Sequence, residues 1–447
     1  MRYIMIKSLW SDTATLPTFP PLSRDEKAEV CIVGGGMAGI LCAYFLEQAG
    51  VSYILCEADT IGGGTTAGTT AVISAQHDTL YQILMKNKGY TKARLYLEAN
   101  LHAVSAYKSL CQDISCDFEE IPACIYSCTD SPLMEDEVKA LHALGYNARL
   151  LHDIPLPRPA LAAVEFPAQA QFHPLKFLGE IAKGMNIREH TKILSLKTGL
   201  AMTEHYRIQA DKIIVASHFP FWNGCGMFFA KLYQKRSYVL AVKGAESISG
   251  SFVEYGKNGM YFRNYKDLLL VGGGDHRTGK AGCYFAPIKN FVAAHYPAAS
   301  NAYAWSAQDC ISLDGVPYIG PYSNVLPDVY VATGFNEWGM TSSMTAARIL
   351  TDMVTGRQNK YAGVFSPARN MFTKQLWNNI GTSLTGLLTP SRLRCPHMGC
   401  ALKWNSLDKT WDCPCHGSRF TKDGKLIYNP ATEDLPDTAL TDGTAKS

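Results

Sequence analysis

The stretch "AEVCIVGGGMAGILCAYFLEQAGVSYILCEAD", beginning at residue 28, constrains the fold more than any other. Within residues 28–33, Val30 to Val33 form a continuous apolar run, as in a strand buried on both faces. Gly34, Gly36 and Gly39 follow as G-x-G-x-x-G. "MAGILCAYFLEQAG" then reads as a helix closed by Gly50, and "VSYILCE" as a second buried strand ending on Glu57. Each residue type has a physical task. Gly34 permits the tight turn, Gly36 lets the backbone approach a pyrophosphate, and Gly39 lets the helix close onto the strand. The helix N-terminus offers amide N–H groups and a positive dipole end to the phosphates. Glu57 is placed to accept hydrogen bonds from an adenosine ribose. Strand, glycines, helix, strand and acid in this order predict a parallel sheet that holds a dinucleotide.

The following segments favour a flavin over a nicotinamide. "IGGGTTAGTTAVISAQH" (61–77), with Thr65 and Thr66, closely follows the ribose acid. "DVYVATGFNEWGMTSSMTAARILTDMVTG", beginning at 328, holds a buried strand (329–333), a turn at Gly334, and a helix from about Met340. This pair of segments resembles the D-amino-acid-oxidase-like FAD oxidoreductases, in which a helix N-terminus faces the pyrimidine edge of the flavin. Gly339, Met340 and Thr341 match that position, and the helix dipole there stabilises negative charge on the reduced ring. "ADKIIVASHFPF" (210–221) looks like the strand that returns the chain to the FAD sheet. The resemblance implies an α/β, Rossmann-like FAD domain of the glutathione-reductase type, assembled from about 28–110, 165–220 and 310–360. "RSYVLAVKG", "GSFVEYG", "GMYFRNY" and "DLLLVGGGDH" read as an antiparallel sheet covering the flavin, mainly within 225–310. Residues 79–110 read as helix broken near Gly89, and "GGGDHRTGK" (272–280) as a turn without P-loop spacing.

At the other end stands "CPHMGCALKWNSLDKTWDCPCHGSRF" (395–420), with four cysteines and two histidines. Zinc fingers group their cysteines and their histidines separately. Here Cys395-x-His397 and Cys413-x-x-His416 each supply one of each. That alternation suits a [2Fe–2S] cluster with two thiolates on one iron and two imidazoles on the other; zinc and plain disulfides are the alternatives. The stretch resembles the disulfide-bearing Rieske proteins. The resemblance implies a bond between Cys400 and Cys415 that pins the two ligand loops. It also places Ser418 where a serine hydrogen-bonds a cluster sulfide, and Phe420 where high-potential members carry a tyrosine. The expected potential lies below the upper end of the about −150 to +300 mV span of histidine-ligated clusters. Only six residues separate "TGLL" from Cys395, so this all-β module looks shortened, lacking its leading strands.

The two modules together resemble bacterial FAD-dependent oxidoreductases with a fused Rieske domain. The expected organisation is a lead segment (1–27), a D-amino-acid-oxidase-like domain (28–376), a linker (377–391) and a Rieske domain (392–447). A net charge of +3 without a Lys/Arg run gives no reason to expect nucleic acid. No signal peptide or 18-residue apolar run is read, so a cytoplasmic protein without a membrane span is expected. Of the 14 cysteines, Cys31, Cys42 and Cys56 fall in apolar patterns and read as small core residues.

The resemblance implies a substrate step in which a C–H bond beside an amine delivers a hydride to FAD. Electrons then leave singly through the cluster to an unknown partner. Arg263 in "MYFRNY" is the candidate for binding a substrate carboxylate, or else a surface arginine. His77 is the candidate base or flavin partner, or else a structural histidine. Two other functions fit the same cofactors. One is an oxidase using oxygen beside a vestigial Rieske module; the other is a non-enzymatic redox carrier or sensor.

Overall fold

The computed structural model describes residues 8–256 and 259–436. The first seven residues of the expected lead segment and the last eleven of the expected Rieske domain lie outside this range.

The dinucleotide unit forms the centre of an eight-stranded sheet. Its strand Glu26–Val33 runs parallel between Tyr53–Cys56 and Arg207–Val215. Leu326–Thr333 continues the parallel set, and Tyr318–Ser323 closes that edge antiparallel. Val30 to Val33 are all buried, as a strand covered on both faces requires. The helix Met37–Gln48 packs against the helix Gly339–Val354, whose inner residues Met344, Ala346 and Ala347 are completely buried.

A nine-stranded, largely antiparallel sheet lies beside it. Ser300–Ser312, Leu232–Lys243, Leu268–Arg277, Tyr261–Tyr265 and Ser251–Glu254 follow one another across it. Four further strands come from earlier in the chain: Val72–Ile73, Glu119–Ser127, Arg149–Leu151 and Ala162–Gln171. This corrects the expected 165–220 segment of the FAD sheet. Ala162–Gln171 pairs antiparallel with Glu119–Ser127, and the chain reaches the first sheet only at Ile187–Arg188. Between the two partners lies the helix Ser131–Ala143, so the pairing leaves no local signature. Gly89, at φ +84°, separates the helices Leu80–Lys88 and Tyr90–Leu110, at the expected break.

Within the lead segment, Ser8 caps a short helix (Leu9–Thr13) that inserts Trp10 into the core. The Trp10 indole donates to Thr69 O at 2.6 Å and meets Tyr265 and His173 edge-on. Each edge contact adds about 0.5–1.5 kcal/mol beyond burial.

The stretch expected as a linker is mostly helix, Lys374–Leu388. Thr373 caps it by accepting from Leu376 N, and Leu376 and Ile380 pack with Phe229, Ala230 and Leu313. Beyond it, four three-residue strands form a small antiparallel sheet: Lys403–Asn405, Thr410–Asp412, Arg419–Thr421 and Leu426–Tyr428.

Candidate active site and metal centre

A cavity of about 1890 Å³ runs from the glycine turn to the nine-stranded sheet. Gly34 sits at φ +113°, and a Cβ there would lie 2.6 Å from Ala216 O on the neighbouring strand. At Gly39 a Cβ would overlap the carbonyl oxygen of Gly34. Gly36 instead faces the cavity, and its nearest neighbour would be Thr66 Oγ1 at 3.4 Å. Thr66 accepts from Met37 N at 3.1 Å, and Thr65 donates to Gln308 O at 3.0 Å. Glu57 closes the unit. Its carboxylate accepts from Gly35 N at 2.6 Å and Asp59 N at 2.9 Å. Burial raises its pKa from the ordinary value.

Gly334, Gly339 and Met340 line the middle of the cavity, where the helix Gly339–Val354 presents its N-terminus. Thr341 and His77 do not line it. The His77 ring is buried, with Nδ1 2.7 Å from Tyr96 Oη and Nε2 3.0 Å from both Ser74 O and Thr341 Oγ1. It also stacks on Trp338. Burial lowers its pKa to about 3, so the ring is neutral. With both nitrogens engaged and no face on the cavity, His77 holds the start of the helix in place; the expectation of a base is corrected.

Arg263 lines the cavity with 1% of its surface exposed. Nη1 donates to Ala71 O at 2.9 Å, while Nε and Nη2 have no partner among the described residues. Trp10 and Tyr265 flank the guanidinium. Burial lowers its pKa to about 9 and outweighs the opposing effect of the Glu119 charge.

Sequence reading missed a charged cluster on the same wall. Lys235 Nζ lies 2.7 Å from Asp275 and 3.1 Å from Glu337, and Asp78 and Asp309 share the cavity with them. Burial, then the Glu337 charge, raises the Asp78 pKa to about 6 and pushes Asp309 upward as well. Its members come from five separated segments, and "LYQKRS" and "SAQDC" carry no signal beyond a charge inside a strand.

The six cysteines and histidines of the C-terminal stretch converge. The Sγ atoms of Cys400, Cys413 and Cys415 lie within 4.8 Å of one another, and Cys395 interacts directly with Cys413. The His397 and His416 rings are 4.9 Å apart at 84°. His397 Nε2 and both nitrogens of His416 are buried without a partner among the described residues. Two clustered thiols and two unpaired neutral imidazoles fit a histidine-ligated [2Fe–2S] cluster. Gly386 brings the helix Lys374–Leu388 over this site, since a Cβ there would lie 2.5 Å from Cys415 Sγ.

The second ligand loop is buried against the nine-stranded sheet. Arg277 donates to Pro414 O (3.1 Å) and Cys415 O (2.9 Å), Gln234 to His416 O (2.8 Å) and Gln308 to Gly417 O (2.8 Å). Three adjacent strands thus satisfy four consecutive carbonyls. "GGGDHRTGK", expected as a turn, is strand as far as Arg277, and its Gly279 packs on Pro414. Asp408 joins the domains by pairing with the buried Arg236 (2.7 Å) and with Arg419 (2.8 Å). Removing one partner of such a buried pair costs about 3–5 kcal/mol. The shortened module therefore leans on the larger domain where leading strands were expected.

These features define a flavin-dependent oxidoreductase carrying an iron–sulfur module. The model of the FAD dependent oxidoreductase family (DAO) matches residues 29–353, and that of the Rieske [2Fe-2S] domain matches 381–439. The chain belongs to the DAO family of FAD-dependent oxidoreductases and carries a C-terminal Rieske domain. It binds FAD in the first and a [2Fe–2S] cluster in the second. It is 33% identical to the Rieske 2Fe-2S iron-sulfur protein YhfW of Bacillus subtilis (strain 168), over 96% of this chain and 97% of that one. Its fold is similar to L-proline dehydrogenase from P. horikoshii (TM-score 0.65, 16% identity, 77% of this chain and 98% of that one). Glycine oxidase from Geobacillus kaustophilus is similar to the same degree (TM-score 0.64, 16% identity, 77% and 99%). Among the described residues no helix is long and apolar enough to cross a membrane.

Proposed function

We propose that the protein oxidises a small amine or amino-acid-like substrate at FAD and passes the electrons singly to the Rieske cluster. The observation that carries this reading is a shared wall. Asp408, Tyr428 and Asn429 of the Rieske domain line the same cavity as Glu57, Thr65 and Gly339. Phe219 bridges the remaining distance: its ring centroid lies 6.3 Å from His397 and 6.1 Å from His416, and its neighbour His218 lines the cavity. Asn429 holds this segment by donating to Ser217 O and Phe219 O at 2.6 and 2.7 Å.

Bound FAD supplies the chemistry of accepting two electrons and releasing them one at a time. The protein's side chains position and select. Arg263 offers two unpaired N–H groups to a substrate carboxylate, and the carboxylates around Lys235 favour the amine end. His77 fixes Thr341 and hence the helix N-terminus whose dipole faces the cavity. The names of the solved neighbours, L-proline dehydrogenase and glycine oxidase, support an amino-acid-like substrate.

Arg263→Gln is the test of the substrate half. KM for a carboxylate-bearing substrate is expected to rise by roughly 10- to 100-fold, the worth of a charge-assisted hydrogen bond or two, with kcat changed much less. An amine lacking a carboxylate should be nearly indifferent to the change. An unaltered KM for every substrate found by screening amines and amino acids would remove Arg263 from the site.

A further inference from the structure

Among the described residues, the helix Lys374–Leu388 leaves one face without a partner. Leu376, Asn379 and Gly386 are buried against the two domains. On the opposite side Trp377, Leu384 and Leu388, spaced i, i+7, i+11, form a single stripe and are 65%, 53% and 80% exposed. Phe372 (77%) before the helix and Met398 (38%) in the first ligand loop are exposed as well. Isolated exposed apolar residues are ordinary, but a contiguous stripe of the largest types marks a contact surface.

Between Asp352 and Asp408 the chain holds seven Lys or Arg residues and no Asp or Glu; Lys360 pairs with Glu98 and Arg369 with Asp314. Lys374 and Lys403 are exposed, and Arg394 caps the end of the helix by donating to Leu387 O and Thr389 O. A Trp/Leu/Phe face with a basic border is the pattern of helices that lie in the plane of an anionic bilayer surface.

We infer that this face seats the protein on an anionic lipid surface, with the helix lying flat. It would do so as a peripheral contact, with nothing crossing the bilayer. Through Gly386 the same helix touches Cys400 and Cys415, so the lipid side is the cluster's outer side, away from the histidines that face the FAD domain.

The test is flotation of the holoprotein with phosphatidylcholine vesicles, alone or mixed with phosphatidylglycerol. Flotation with the anionic vesicles only, weakened by salt, is the expected result. Leu384→Gln/Leu388→Gln should lower the partition coefficient at least about tenfold, from the apolar area of two leucines. Lys374→Gln should lower it by about fivefold. The FAD and cluster absorbance of each variant, unchanged, shows that folding is intact. Failure of the wild type to float with anionic vesicles overturns the inference, as does equal flotation of the double leucine variant. So does a wild-type dimer that the leucine variant splits, with no flotation, since a second copy then covers the face. Tight binding to an acidic soluble redox protein, again without flotation, would assign the face to that partner instead.

Discussion

Cys413→Ser is expected to remove the cluster and spare the flavin. The sulfurs of Cys395, Cys400 and Cys415 hold the Cys413 thiol well below the ordinary cysteine range. The thiolate is the form that binds metal. A serine hydroxyl in its place cannot ionise near neutral pH. Iron and acid-labile sulfide should fall from about two of each per chain to near zero. FAD content should stay near one per chain, because the glycine turn that grips it lies in the other domain. Reduction of a one-electron acceptor by substrate should fall by at least about tenfold, while flavin reduction itself continues. Retained iron in this variant would show that a different set of residues holds the metal. Cys400→Ser is the control, since it leaves Cys395, His397, Cys413 and His416 in place and should keep its iron.

Gly39→Val is expected to have the opposite pattern, losing FAD first. A Cβ at this position overlaps Gly34 O and approaches Ile32, so the helix Met37–Gln48 must move off the strand. The displacement costs about 1–3 kcal/mol of packing, which for a chain of this size lowers Tm by several degrees. It also misaligns the amide groups at the helix N-terminus that meet the pyrophosphate. FAD per chain after purification should drop far below one. Gly36→Ala separates the two effects. Its Cβ would meet only Thr66 Oγ1 at 3.4 Å, so Tm without FAD should be unchanged while FAD binds more weakly. Normal FAD content in Gly39→Val would mean that the dinucleotide is held elsewhere.

The parts of this molecule legible in its sequence are those whose physics is local. The glycine turn works through residues within thirty positions of one another. The four expected metal ligands sit on two loops of one short stretch. The contacts that place the modules against each other are long-range and left no pattern. Gln234 and Gln308 reach carbonyls 182 and 109 residues away. Asp408 reads as an ordinary loop acid until Arg236, 172 residues earlier, is brought beside it.

The same reason explains the misreadings. His77 follows a Gly/Thr loop as a catalytic histidine might, but Tyr96 and Thr341 take up its nitrogens. The expected linker is helix because Thr373 caps it and Ala230 and Leu313 cover it, and only the first of these lies nearby in sequence. The brevity of the Rieske module was legible, but its consequence was not. The strands Leu232–Lys243, Leu268–Arg277 and Ser300–Ser312 supply the support that the module lacks.

The central claim is that electrons placed on the flavin reach the Rieske cluster within one molecule. Anaerobic illumination of dilute holoprotein with EDTA, without mediators, reduces a protein-bound flavin without needing its natural substrate. Absorbance then follows the flavin while EPR follows the reduced cluster. If the account holds, the cluster signal grows together with flavin bleaching, at a rate independent of protein concentration. A flavin that bleaches completely while the cluster stays oxidised, and yields its signal only when dithionite is added, would contradict it.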